Sequence, residues 1–162
     1  MILLYSEKFL DVDLPQVVPI CDVHDPKLIP LVGEDLHCLH NALKKATRGV
    51  VLKTAKRLWV GLARELRPDL TIYVWGAAVR GRNTVLIRGA EEYRGYGVYY
   101  IKSREELRLL VGKPVAGLLL DARHFDPHLT ELVVKGRVSC GCERCGLVER
   151  LLCNPYREVE VL

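Results

Sequence analysis

Four cysteines near the C-terminus, Cys140, Cys142, Cys145 and Cys153, give the spacing C-x-C-x2-C-x7-C within fourteen residues. Thiols packed this closely make poor disulfide partners, because neighbouring pairs would close very small, strained loops. Their thiolates would also repel one another unless a cation neutralised them. A tetrahedral zinc ion or an iron–sulfur cluster supplies that neutralisation, and Gly141 and Gly146 let the backbone turn tightly around it. With every position filled by protein such a site is structural, and the spacing does not separate zinc from iron–sulfur. Oxidised pairs and free thiols are the other states open to the cluster. Cys21 and Cys38 read as buried apolar thiols, either of which could replace Cys153 as the fourth ligand.

Two further groups carry chemistry. Asp121, His124 and Asp126, with His128 close behind, gather where a buried apolar run ends, and carboxylates with imidazoles can hold a second metal ion or a catalytic centre. The plainer reading makes Asp126 a helix cap with His128 on the first turn. The second group is cationic. Residues 1–40 hold two basic and seven acidic groups, residues 41–94 twelve and four, and residues 95–162 ten and nine. Lys53, Lys56, Arg57 and Arg64 fall off the apolar stripe of a helix, and Arg80 and Arg82 lie in the following loop, so this middle could bind the phosphates of RNA or DNA. A solvated helix face is the alternative. His37 and His40, three apart, read as ordinary helix-face residues, and His24 as a turn residue. Gly76, Gly81 and Gly89 match neither phosphate-binding glycine spacing.

These groups need elements to position them. Ile2 to Tyr5 reads as a short buried strand, and Asp25-Pro26-Lys27-Leu28-Ile29 as an N-cap, a first-turn proline and a helix start. From Leu36 to Leu66 apolar residues recur every three or four positions, which predicts helix with a break near Gly49. Thr71 to Trp75, Thr84 to Ile87 and Val98 to Ile101 are β-type runs. Ser103 with Glu106 makes a capping box before a helix, and Pro114 to Leu120, ending at Asp121, reads as a strand buried on both faces. The predicted fold class is α/β: a mainly parallel sheet with helices on both faces, a three-layer sandwich over residues 1–138. A four-cysteine segment, 139–162, packs on the same domain.

Composition narrows the class. The single methionine, single glutamine and three asparagines suggest a thermophile's protein. The N-terminus lacks a signal-peptide pattern and no apolar run nears the ~20 residues of a membrane span, so a cytoplasmic protein with no membrane partner is expected.

The order of elements resembles the N-terminal half of the histone deacetylase and acetoin-utilisation family, whose fold is the arginase/deacetylase α/β sandwich. LLYSEKFL resembles that family's opening strand, VHDPKLIPL its Val-His-Asp helix, and VAGLLLDARHFDPHLTELVVKGRVS its buried strand, metal turn and following helix. On this resemblance Asp121 keeps a ligand aspartate, but Arg123 replaces a ligand histidine and cannot bind a cation. The loop from Gly76 to Asn83 has none of the family's paired histidines. The resemblance thus implies the fold without deacetylation. The C-x-C-x2-C part also resembles the zinc motif of tRNA-guanine transglycosylases, a pointer to RNA, although no histidine follows His128 to complete that motif.

Two functions follow as expectations. One is a non-hydrolytic deacetylase-like protein with a structural four-cysteine site, binding nucleic acid or a protein partner through its basic middle. The alternative is a metal- or cluster-dependent enzyme that modifies or cleaves nucleic acid, with Asp121, His124 and Asp126 at its centre.

Overall fold

The computed structural model describes residues 1–136 and 146–153. Eight strands run in chain order round a closed barrel: β1 (Ile2–Tyr5), β2 (Gln16–Val18), β3 (Leu28–Val32), β4 (Val50–Thr54), β5 (Ile72–Gly76), β6 (Thr84–Gly89), β7 (Val98–Ile101) and β8 (Gly117–Asp121). All neighbouring pairs are parallel, including β1 with β8, which closes the ring. Following the paired residues once round from Leu4 leads back to β1 displaced by eight residues, the shear of an eight-stranded parallel barrel. Among the described residues five α-helices decorate the outside: α1 (Leu36–Lys45), α2 (Arg57–Leu66), α3 (Arg104–Arg108), α4 (Pro127–Val134) and α5 (Leu147–Cys153).

Alternation along the strands fills three apolar clusters. Leu3, Val17, Ile29, Leu31, Val51, Tyr73, Ile87, Val98 and Leu119 point inward and pack the barrel lumen. Outward residues of β3, β4 and β5, such as Leu28, Leu52 and Val74, meet Leu39, Leu43, Val60 and Ala63 of α1 and α2. Outward residues of β1, β7 and β8 join Leu107, Val133, Val148 and Leu151 of α3, α4 and α5.

Closure depends on a close approach. Leu118 N donates to Met1 O at 3.0 Å, and a Cβ on the preceding Gly117 would stand 2.8 Å from that same Met1 oxygen. At Gly49, with φ +141°, a Cβ would lie 2.8 Å from both Thr71 O and the Tyr73 ring. That glycine lets β4 enter tightly beside β5.

The open three-layer sandwich, and with it the deacetylase-like fold, is overturned by this ring. The sequence reading contained five strands, too few to close. Gln16–Val18 is absent from the predicted elements, the start of β3 is predicted as helix, and β4 falls in the helical stretch predicted after the break near Gly49. Asp25 explains the second error: its carboxylate accepts from Lys27 N at 2.8 Å and its carbonyl from Leu28 N at 3.1 Å, a turn whose local bonds imitate an N-cap. The predicted caps elsewhere are present. Ser103 accepts from Glu106 N, and Asp126 from His128 N and Leu129 N with Pro127 in the first turn.

Cys21 and Cys38 form a disulfide across 17 residues, tying the β2–β3 loop to the first turn of α1, and so are not the buried apolar thiols expected. A cross-link of this span removes about 3 kcal/mol of unfolded-chain entropy. Cys38→Ser is therefore expected to lower unfolding free energy by about that amount in denaturant titrations. Wild-type protein in excess reductant should show the same loss, and identical stability of reduced and oxidised protein would refute the tie.

Candidate functional site

The C-terminal strand ends open at one mouth of the barrel, the end at which parallel barrels gather ligand-binding groups. Tyr5, Trp75 and Tyr100 project there as a triangle of half-buried rings. Their centroids are 6.0 Å (Tyr5–Trp75), 5.8 Å (Tyr5–Tyr100) and 4.8 Å (Trp75–Tyr100) apart. Lys53, from the inward register of β4, holds its ammonium 5.0 Å from the Trp75 ring centroid.

Asp121 ends β8 and is fully buried. Its carboxylate accepts from Arg123 Nε at 3.1 Å, Arg123 Nη2 at 2.7 Å, Arg123 N at 2.9 Å and the Tyr100 hydroxyl. Burial alone would push this carboxyl up, but the bonds from Arg123 and Tyr100 outweigh it and hold it at about 2. The same burial and the bond to Asp121 push the Tyr100 phenol up. Asp121 is thus a permanent carboxylate whose oxygens are committed.

That arrangement corrects the second metal reading. Asp121 faces Arg123 and Tyr100, Asp126 caps α4, and His124 and His128 are exposed. Among the described residues no group of three or more His, Cys, Asp or Glu side chains could hold a metal ion, which overturns the metal-binding expectation for Asp121, His124 and Asp126 and leaves no support there for zinc or iron–sulfur. Cys140, Cys142 and Cys145 lie outside the described residues, while Cys153 is exposed at the end of α5. His37 lies 3.3 Å from Asn41 Nδ2, and His24 packs edge-on against Phe9.

The six predicted nucleic-acid-binding residues separate into two places. Lys53 sits at the mouth. Lys56 pairs with Glu34 at 3.4 Å, and Arg57 is the exposed first residue of α2. Arg64 joins the other place: Nε donates to Thr84 Oγ1 at 2.9 Å and Nη2 to Arg80 O at 3.0 Å. Gly81 makes room for it, since a Cβ there would fall 2.2 Å from Arg64 Nη2. Arg80 and Arg82 are exposed on the same loop.

This second place is the outer face of β6. The connection from β5 to β6 is only residues 77–83, without a helix, and a single 3-10 turn, Ala90–Glu92, leads on to β7. Thr84, Leu86 and Arg88 consequently remain half-exposed, whereas the outward residues of β5 and β7 are buried. A groove of about 360 Å³ runs over them, walled by Val79 and Arg80 on one side and Tyr96 and Gly97 on the other. Its lining holds two arginines and no carboxylate, and Tyr96 is 79% exposed. Arg88 and Tyr96 were missed in the sequence because neither belongs to a motif; the short β5–β6 connection was the available signal. Among the described residues no helix is long and apolar enough to cross a membrane.

The Asp121 carboxyl has a lower pKa in the fold than in the unfolded chain. Its stabilisation is therefore present above about pH 4 and is lost as pH falls towards 2. Asp121→Asn is expected to cost about 2 kcal/mol near pH 7 and much less near pH 2, read from urea unfolding at both values. An equal deficit at both would show that the charge pair is not what Asp121 contributes.

Compared with protein-family models, curated proteins and solved structures, the chain has no match in any of the three.

Proposed function

We propose that this protein binds nucleic acid, preferentially single-stranded, along the outer face of β6. The observation that supports this most strongly is the uncovered strand itself. In a barrel whose neighbouring strands bury their outward residues under helices, β6 presents Thr84, Leu86 and Arg88 in an arginine-walled groove free of carboxylates. Guanidinium groups suit phosphates because their fixed fork matches two oxygens at once. Arg64, pinned by Thr84 and the Arg80 carbonyl, adds charge in a defined place at one end. Tyr96 gives a ring on which an unpaired base can stack, a sequence-tolerant contact worth about 1–3 kcal/mol. A duplex would bury its bases away from that ring.

Phosphate binding releases counterions, so log K should fall linearly with log salt at about −0.7 per phosphate neutralised on a single strand. Fluorescence anisotropy with short single- and double-stranded RNA and DNA at several salt concentrations measures that slope. Arg80→Gln combined with Arg88→Gln is expected to reduce it by about 1.4, with similar losses for unrelated sequences. Tyr96→Ala should weaken single-strand binding and leave the slope unchanged. An unaltered slope in the double variant, or no binding to any of the four probes at low salt, would refute the proposal.

A further inference from the structure

A separate cavity of about 270 Å³ lies at the mouth, between the β1–β2 loop and the turn from β8 into α4. Its walls are mainly apolar: Tyr5, Leu10, Ala122 and Pro127 contribute most of the shape. Three features distinguish it from an incidental surface dent.

The first is Arg123. Its guanidinium is tethered at Nε and Nη2 to a fully buried carboxylate, while its side chain stays 64% exposed. A guanidinium has five N–H donors; this fork directs two at Asp121 and also interacts with the Tyr100 hydroxyl, which leaves donors over. The remaining donors stand at the cavity edge on a group whose rotamers are already fixed, which removes most of the ordering cost of gripping an oxyanion.

The second is the opposite wall. Gln16, buried on β2, accepts from Leu10 N at 2.7 Å through Oε1 and donates to Leu10 O at 2.8 Å through Nε2. The loop bearing Leu10 is therefore clamped from beneath, and the apolar side of the cavity is preformed. The third is charge. The lining holds Lys8 and Arg123 against Glu7 and Asp121 and so carries no net charge, but Asp121 is fully buried while Arg123 is 64% exposed, which leaves the guanidinium as the accessible member of that pair, and Glu7 disfavours a second anionic group on the ligand.

We propose that this cavity binds a small organic anion: a flat, apolar body lodged between Tyr5, Leu10 and Pro127, carrying one carboxylate or phosphate held by Arg123. It lies at the C-terminal ends of β1 and β8, apart from the β6 groove, and stands or falls independently of nucleic-acid binding.

The test uses the full chain and four probes: benzoate, phenyl phosphate, inorganic phosphate and benzyl alcohol, at the millimolar concentrations suited to fragments. Binding is read as amide shifts at Ser6, Lys8, Ala122 and Arg123 in two-dimensional NMR, and as Trp75 fluorescence through its contact with Tyr5. Benzoate or phenyl phosphate should saturate these shifts, and the tighter of the two identifies the oxyanion. Inorganic phosphate and benzyl alcohol, each lacking half of the recognition, should bind at least tenfold more weakly. Arg123→Lys keeps a cation beside Asp121 but loses the fork, and should weaken the better anion about tenfold. Arg123→Gln should weaken it further, whereas Arg80→Gln should leave it unchanged. The proposal is overturned if neither aromatic anion moves these amides, if inorganic phosphate binds as well as phenyl phosphate, or if folded Arg123→Lys binds like wild type.

Discussion

Pairing of the first strand with the last is the constraint on which the rest of this molecule depends. Ile2, Leu3, Leu4 and Tyr5 pair with Leu118, Leu119, Leu120 and Asp121, and no strand is left as an edge. The contact needs Gly117, since any side chain there would collide with the Met1 carbonyl. Closure sets Tyr5 beside Asp121 at the mouth, and the buried carboxylate then requires the Arg123 fork and the Tyr100 hydroxyl. A buried ion pair contributes little net stability compared with an apolar replacement. Its effect here is to fix one guanidinium at the rim of a cavity.

The barrel is also short of chain. Eight-stranded parallel barrels with a helix after every strand typically take about 250 residues, and this one closes between Ile2 and Asp121. The economy falls on particular connections. Residues 77–83 cross from β5 to β6 with no helix, so the outer face of β6 lacks the cover that α2 gives β5 and α3 gives β7. A strand left open in this way would be a liability if its outward residues were all apolar. Thr84, Leu86 and Arg88, flanked by Arg80 and Tyr96, instead make it a polar, cationic groove with an exposed ring.

The sequence revealed most of the local structure but not the closure. Strands whose residues are buried on both sides, such as Gly117–Asp121, look the same in an open sheet and in a barrel. The difference lay in β2, β3 and β4, which are short or carry helix-like signals. Val51, Ala55, Leu58 and Leu62 recur at helical spacing although Val50–Thr54 is a strand, because β-strand and helix patterns can coincide over so few residues. The caps at Ser103 and Asp126 depend only on neighbours in the chain and were readable. Asp121 was singled out correctly as a strand-end group, but its partner Tyr100 belongs to another strand and no spacing announces it. The cationic middle was visible as a charge excess, whereas its division between mouth and β6 required knowing that Lys53 stands at the end of β4, exposed at the mouth beside Trp75.

NMR chemical-shift mapping with a short single-stranded oligonucleotide tests most directly whether the uncovered strand is the binding surface. The account predicts shifts concentrated at Thr84, Leu86, Arg88 and Tyr96, with Ala122 and Arg123 at the mouth undisturbed. Shifts confined to the mouth or to the helix-covered faces, with β6 silent, would contradict it.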